Sequence, residues 1–144
     1  MKKLLLVLAF LSFSSVVMAT PVTRTACETP DSSFKAFLPR FTDDRAFRES
    51  RIALPLVARA GDGVATEESI ELWTLPHIKS LKYPLIHSRQ EQKKNDILQR
   101  IDLLQPDYAE VFLGEREADA DRMLYKFRKN AGCWFLEELH DLGQ

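Results

Sequence analysis

Basic charge is not in excess in this 144-residue chain, where 20 Lys and Arg face 21 Asp and Glu. A nucleic-acid partner calls for a basic stripe, so this balance argues against one. Histidine is scarce: His77, His87 and His140 lie far apart, with no His-Glu-x-x-His or close His/Cys cluster of the kind a metal centre needs. There is no Gly-x-Ser-x-Gly elbow and no Cys-x-x-Cys, which removes the commonest routes to a serine hydrolase or a dithiol redox centre. Gly61 and Gly63 form a lone pair in a turn, too little for a phosphate cradle. No internal repeat or low-complexity segment is visible, and no cofactor is expected.

The one long apolar run stands at the start. Lys2 and Lys3 precede Leu4 to Leu11, and Val17-Met18-Ala19 closes the run with a small residue, the three-part pattern of a secretory signal cleaved before Thr20. A spanning helix needs about 20 apolar residues followed by stop-transfer charge. Ser12, Ser14 and Ser15 break this run, and Thr20-Pro21-Val22-Thr23 follows it. Cys27 comes after Arg24-Thr25-Ala26, well past the apolar run, which argues against lipidation. The paired Lys and short apolar core look bacterial, so the expected location is the periplasm or outside the cell, with no membrane contact after cleavage. Cleavage removes two Lys and no acid, leaving 125 residues of formal charge −3, the size of one domain.

Only two cysteines are present, Cys27 near the start of the mature chain and Cys133 near its end. In an oxidising compartment an even pair predicts a disulfide; two unpaired buried thiols are the alternative.

The element pattern begins with an extended lead-in over 20–30. Asp31-Ser32-Ser33 then caps a helix whose Phe34, Phe37, Leu38 and Phe41 fall on one stripe. Asp43 and Asp44 cap a second short helix over Arg45 to Ser50. Ile52 to Val57 alternates as a strand, with Ile52, Leu54 and Leu56 on one face and Pro55 implying an edge position or a bulge. Glu67 to Leu75 returns as a second strand carrying Ile70 and Leu72 on one face. Pro76 starts a short helix with Ile78 and Leu81. The polar stretch 88–96 reads as a solvated loop or a helix end. Ile97 to Leu104 fits a helical face and a strand about equally, and strand is preferred because strands follow. Tyr108 to Leu113, Met123 to Arg128 and Cys133 to Leu139 all alternate, the last two joined by the hairpin chemistry of Lys129-Asn130-Ala131-Gly132. Alternation puts Trp134 and Leu136 on one face, and Cys133, Phe135 and Leu139 on the other. Helices first and antiparallel strands last is the α+β pattern, read here as one domain over 31–144.

Two stretches carry a family likeness: Phe34-x-x-Phe37 through Phe41, Asp44, Phe47 and Arg51 to Leu56, and Tyr125-x-Phe127-Arg128-Lys129-x-x-x-Cys133-Trp134-Phe135-Leu136. On these the chain resembles the nuclear transport factor two-like, or cystatin-like, superfamily, and within it bacterial exported domains of unknown function. The resemblance implies helices packed on a curved antiparallel sheet, forming a cone. It covers about a third of the mature chain and leaves the middle poorly matched. The superfamily holds isomerases, dehydratases, binding modules and interaction domains, so the fold selects no function. Related sheets often pair face to face, which allows a homodimer.

A site inside such a cone would draw on Arg51, Trp73, His77, Tyr83, His87 and Tyr125. Tyrosine and histidine polarise carbonyls and an aspartate can serve as base, yet no spacing here matches a catalytic set. Trp73, beside the poorly matched middle, is favoured for a pocket; Trp134 fits the structural Trp of the closing hairpin. Glu115, Glu117, Asp119 and Asp121 resemble a calcium loop. Counting from Glu117, however, Arg122 and Arg128 stand where glycine and an acid are required, so a solvated acidic loop is expected. The leading expectation is an exported, non-catalytic module that binds a small ligand or a periplasmic protein through the cone's open end or its outer sheet face. The alternatives are a cofactor-independent isomerase, lyase or hydrolase, and a periplasmic inhibitor or immunity-type protein.

Overall fold

The computed structural model describes residues 27–61, 69–116 and 122–143. The signal segment, lead-in residues 20–26, most of the Gly61–Gly63 turn and the acidic stretch from Glu117 to Asp121 lie outside them.

Helix α1 (Phe34–Asp43) begins where the Ser33 hydroxyl accepts the Ala36 N–H at 3.1 Å. Helix α2 (Arg45–Ser50) begins where the Asp44 carboxylate accepts the Phe47 N–H at 3.0 Å. Such caps satisfy amides that the first helical turn leaves without partners. There follow β1 (Ile52–Ala60), β2 (Ser69–Trp73), α3 (Leu75–Ser80), α4 (Arg89–Lys94), β3 (Ile97–Leu104), β4 (Tyr108–Glu115), β5 (Met123–Asn130) and β6 (Cys133–Asp141). The strands form one six-stranded sheet in the order β2-β1-β6-β5-β4-β3, antiparallel throughout except for the β1–β6 pair. The architecture is α+β, and Ile97–Leu104 is a strand, paired along its length with β4.

Three local readings are refined. The polar stretch holds a real helix, α4, with a capping box in which Ser88 and Glu91 serve each other's backbone amides. Its Gln92 is buried and donates to the His87 carbonyl at 2.8 Å and to Gln99 Oε1 at 3.0 Å. Pro55 is not on an edge strand, because β1 lies between β2 and β6. Instead the β1–β6 register shifts between Ile52 and Val57, and β2 pairs only from Leu56 onward, so the missing N–H falls where the ladder is interrupted. Leu139 is not on the Cys133 and Phe135 face. Phe127 pairs with Leu136 and Lys126 with Glu138, so Glu137 is an extra residue, and this bulge reverses the alternation beyond it. Leu139 thereby joins the main core.

That core lies between the helices and one face of the sheet. Phe34, Phe37 and Phe41 of α1 converge on Phe127, with ring centroids 5.3, 5.7 and 5.1 Å away, and Phe34 meets Trp134 edge-on at 4.9 Å. Burying each such ring is worth about 1.5–3 kcal/mol. Ile78 of α3 with Leu85 and Ile86 of the segment after it extend the same core. On the opposite face Ala53, Cys133 and Phe135 form a small second cluster, against which Cys27 packs.

Candidate functional site

One end of the sheet is stapled. Cys27 and Cys133 form a disulfide with Cα atoms 6.3 Å apart, joining residues 106 positions distant. Beside it the Asp31 N–H donates to the Gly132 carbonyl at 3.0 Å. Asp31 Oδ2 accepts from Arg51 Nη1 at 2.9 Å and from the Trp134 N–H at 2.8 Å. Gly132 has φ of 84°, and a Cβ there would lie 2.9 Å from Pro30, so only glycine lets the lead-in approach the hairpin this closely. Arg51 and Asp31 side chains are 8% and 10% exposed, and the Arg51 guanidinium lies over Phe47 at 4.8 Å. Arg51 is therefore committed to joining lead-in, α2 and hairpin. The groove of about 650 Å³ next to it has its second arginine, Arg40, lying over Phe47 at 4.0 Å.

The other end carries a hollow among the described residues. Where β1 and β6 finish, a hollow of about 170 Å³ is lined by Ala58, Glu71, Trp73, Met123, Leu139 and Asp141. Trp73 Nε1 donates to Glu71 Oε2 at 2.7 Å, and the Trp73 ring lies 5.0 Å from that of His77. Asp141 Oδ1 accepts the Gly143 N–H at 2.8 Å. Sequence reasoning named Trp73 and His77 and missed the others. The available signal was strand alternation: Glu71 is two residues from Trp73 on β2, and Asp141 two from Leu139 on β6.

Three solved structures have a similar fold. An NTF2-like protein from Bacteroides fragilis is 16% identical with a TM-score of 0.54, over 81% of this chain and 50% of that one. A cystatin-like protein from Bacteroides caccae is 23% identical with a TM-score of 0.51, over 80% and 78%. A Bacteroides uniformis protein solved by NMR is 18% identical with a TM-score of 0.50, over 78% of each chain. The chain has the NTF2-like, cystatin-like cone fold. It spans half the length of the Bacteroides fragilis protein. No protein-family model matches it, nor does any curated protein.

Inside the cone, Tyr125 is buried and its hydroxyl donates to the Leu85 carbonyl at 2.9 Å; burial pushes its pKa well above the ordinary phenol value. Tyr83 stands outside the cone, 72% exposed, on the rim of a hollow between α2 and the segment after α3. His77 is exposed and His87 half-buried, with the His87 Nδ1 buried and without a hydrogen-bond partner among the described residues. The six expected pocket residues thus do not share one cavity: Trp73 and His77 meet at the mouth, and Arg51 lies at the stapled end. No cluster of three or more His, Cys, Asp or Glu suited to a metal occurs among the described residues.

The cone's outer face is laced with charge. Glu138 sits between Arg59 at 3.2 Å and Lys126 at 2.5 Å. Burial opposes its ionisation, but the Lys126 hydrogen bond and the two cations outweigh that and hold its pKa below the usual carboxylate range. Arg128 pairs with Glu137 at 3.3 Å and lies 5.2 Å from the centre of the Tyr108 ring. On the β2 edge, Ile70 and Leu72 are 56% and 55% exposed.

Proposed function

We propose that this chain is an exported, non-catalytic binding module that takes a small ligand at the open end of the cone, with Trp73 as the stacking surface. The observation that carries this reading is the filled interior. Phe41, Phe127, Leu56, Ile86 and Leu136 are all buried, and the Tyr125 hydroxyl is already engaged by Leu85. A concavity on the sheet's inner face lies at the mouth, where an apolar floor of Ala58, Met123 and Leu139 meets one aromatic ring and the polar Glu71 and Asp141. Apolar lining with a few convergent polar groups is the usual make-up of a ligand site. At about 170 Å³ this hollow is below the roughly 300 Å³ of a drug-sized pocket, so the ligand is compact or only partly enclosed.

The signal pattern and the Cys27–Cys133 bridge support export. No described helix is long and apolar enough to cross a membrane. An isomerase, lyase or hydrolase would need an inward histidine beside a buried acid, and the exposure of His77 weighs against that role for it. A second reading, recognition of a periplasmic protein, including an inhibitor or immunity role, is favoured by the exposed Ile70 and Leu72.

Native mass spectrometry on protein expressed with its own signal tests the proposal. A small molecule that co-purifies with the chain and is lost in Trp73→Ala supports it. A ligand-free chain points to a protein partner. A denatured mass that starts at Thr20 and lacks two hydrogens reports export and the disulfide together.

A further inference from the structure

A hollow of about 260 Å³ lies between α2 and the segment running from α3 to Leu85, apart from the mouth. Four cationic side chains line it, Arg45, Arg48, Lys79 and Lys82, against one carboxylate, Glu49. That surplus is local, because the whole chain carries a formal charge of −1. Glu49 already accepts Arg45 Nε at 2.9 Å and pairs with Lys79 Nζ at 3.1 Å; the Arg45 hydrogen bond leads in holding its pKa low. Those three groups therefore largely satisfy one another.

Arg48 and Lys82 remain. Arg48 is half-buried and its Nη1 donates to the carbonyls of Phe41 at 3.1 Å and Thr42 at 2.8 Å. These neutral acceptors fix the guanidinium; burial lowers its pKa, while Glu49 and Asp44 act on its charge at longer range without an ion pair. Lys82 is exposed and makes no ion pair among the described residues. Beneath them Ile52, Ile78 and Leu85 supply a buried apolar floor, and the exposed Tyr83 ring stands at the rim.

We propose that this hollow binds a compact organic carboxylate with an apolar body. The head group pairs with Arg48 and Lys82, and the body lies over Ile78 and Leu85 against the Tyr83 ring. A charge focused in a concave, partly desolvated site attracts a counter-ion more strongly than the same charge spread on a convex surface. A floor of three aliphatic side chains rewards an apolar tail that a simple inorganic anion lacks. This site is independent of the mouth and does not rest on the function proposed above.

The test is an NMR titration of the full ¹⁵N-labelled chain with hexanoate, and with hexanamide as the uncharged analogue. Hexanoate is expected to shift the amides of Ile78, Lys82, Tyr83 and Leu85 saturably, whereas hexanamide leaves them in place. Lys82→Gln is expected to weaken hexanoate about tenfold, and added salt to weaken it further. Tyr83→Ala removes an exposed ring, leaves the fold intact and is expected to weaken binding by a smaller factor. Equal shifts with acid and amide, or an unchanged affinity in Lys82→Gln, would overturn the proposal. Shifts centred on Trp73 would also overturn it, while favouring a ligand at the mouth.

Discussion

Where β6 begins, Cys133, Trp134 and the Asp31 carboxylate lock the lead-in, α2 and the hairpin into one unit. Where β6 ends, small Ala58 and a half-buried Trp73 leave a hollow, and β2 exposes Ile70 and Leu72. The aromatic rings gather at the first end, five phenylalanines and a tryptophan within 6 Å of a neighbouring ring. A fold held this firmly at one end can leave a hollow among the described residues of the other, which is what a binding surface requires.

The strongest way to break this contrast is to remove the staple. Replacing both cysteines by serine is expected to cost about 4–5 kcal/mol on the chain-entropy model for a loop of this length, read by urea denaturation. A loss below about 1 kcal/mol would mean that the stapled end owes little to its bridge. Next, Asp31→Ala strands the buried Arg51 charge and should cost about 3–5 kcal/mol. Midway along the cone, Tyr125→Phe leaves the Leu85 carbonyl without its donor and should cost about 1–2 kcal/mol. At the mouth, Trp73→Ala should lower stability by only about 1 kcal/mol while removing ligand binding. An equal loss at both ends in paired denaturation curves would erase the distinction.

The smallest effect belongs to the outer face. The folded pKa of Glu138 is depressed, so its contribution is fully present above the unfolded carboxylate value and is lost as pH falls through the lowered folded value. Its side chain is 20% exposed and its partners Arg59 and Lys126 are 29% and 26% exposed, so the contribution is about 1 kcal/mol or less. Stability measured against pH should therefore fall slightly less steeply on the acid side in Glu138→Gln than in the parent chain.

What the sequence made legible was local periodicity and the even count of cysteines. The Phe34, Phe37, Leu38 and Phe41 stripe, the alternation of Met123, Tyr125 and Phe127, and the Cys27–Cys133 pairing all reappear in the fold. The face of Leu139 was misread because one extra residue, Glu137, inverts a period-two pattern without leaving a mark in composition. The sequence leaves helix α4 open between a solvated loop and a helix end although Ser88 and Glu91 carry the spacing of a capping box; its polar surface hid Gln92, whose amide is buried. The mouth was half legible. Trp73 announced itself by size, whereas its companions Ala58, Met123 and Leu139 come from three other strand segments that only the sheet order brings together. Nothing in a linear pattern says that Arg51 will meet Asp31 twenty residues earlier, because that meeting depends on the hairpin at Gly132 holding the lead-in in place.

The place of β6 bears on the order in which the chain can assemble. It is the last strand along the sequence among the described residues, yet it occupies the middle of the sheet, parallel to β1 on one side and antiparallel to β5 on the other. Until it arrives, β1 with β2 and β5 with β4 and β3 are two separate ribbons, each presenting a bare edge to any other strand nearby. Synthesis that stops short of Cys133 yields those two ribbons with no strand to join them and leaves Cys27 without its partner thiol. Arrival of β6 closes both edges and brings the two sulfurs together in a single event.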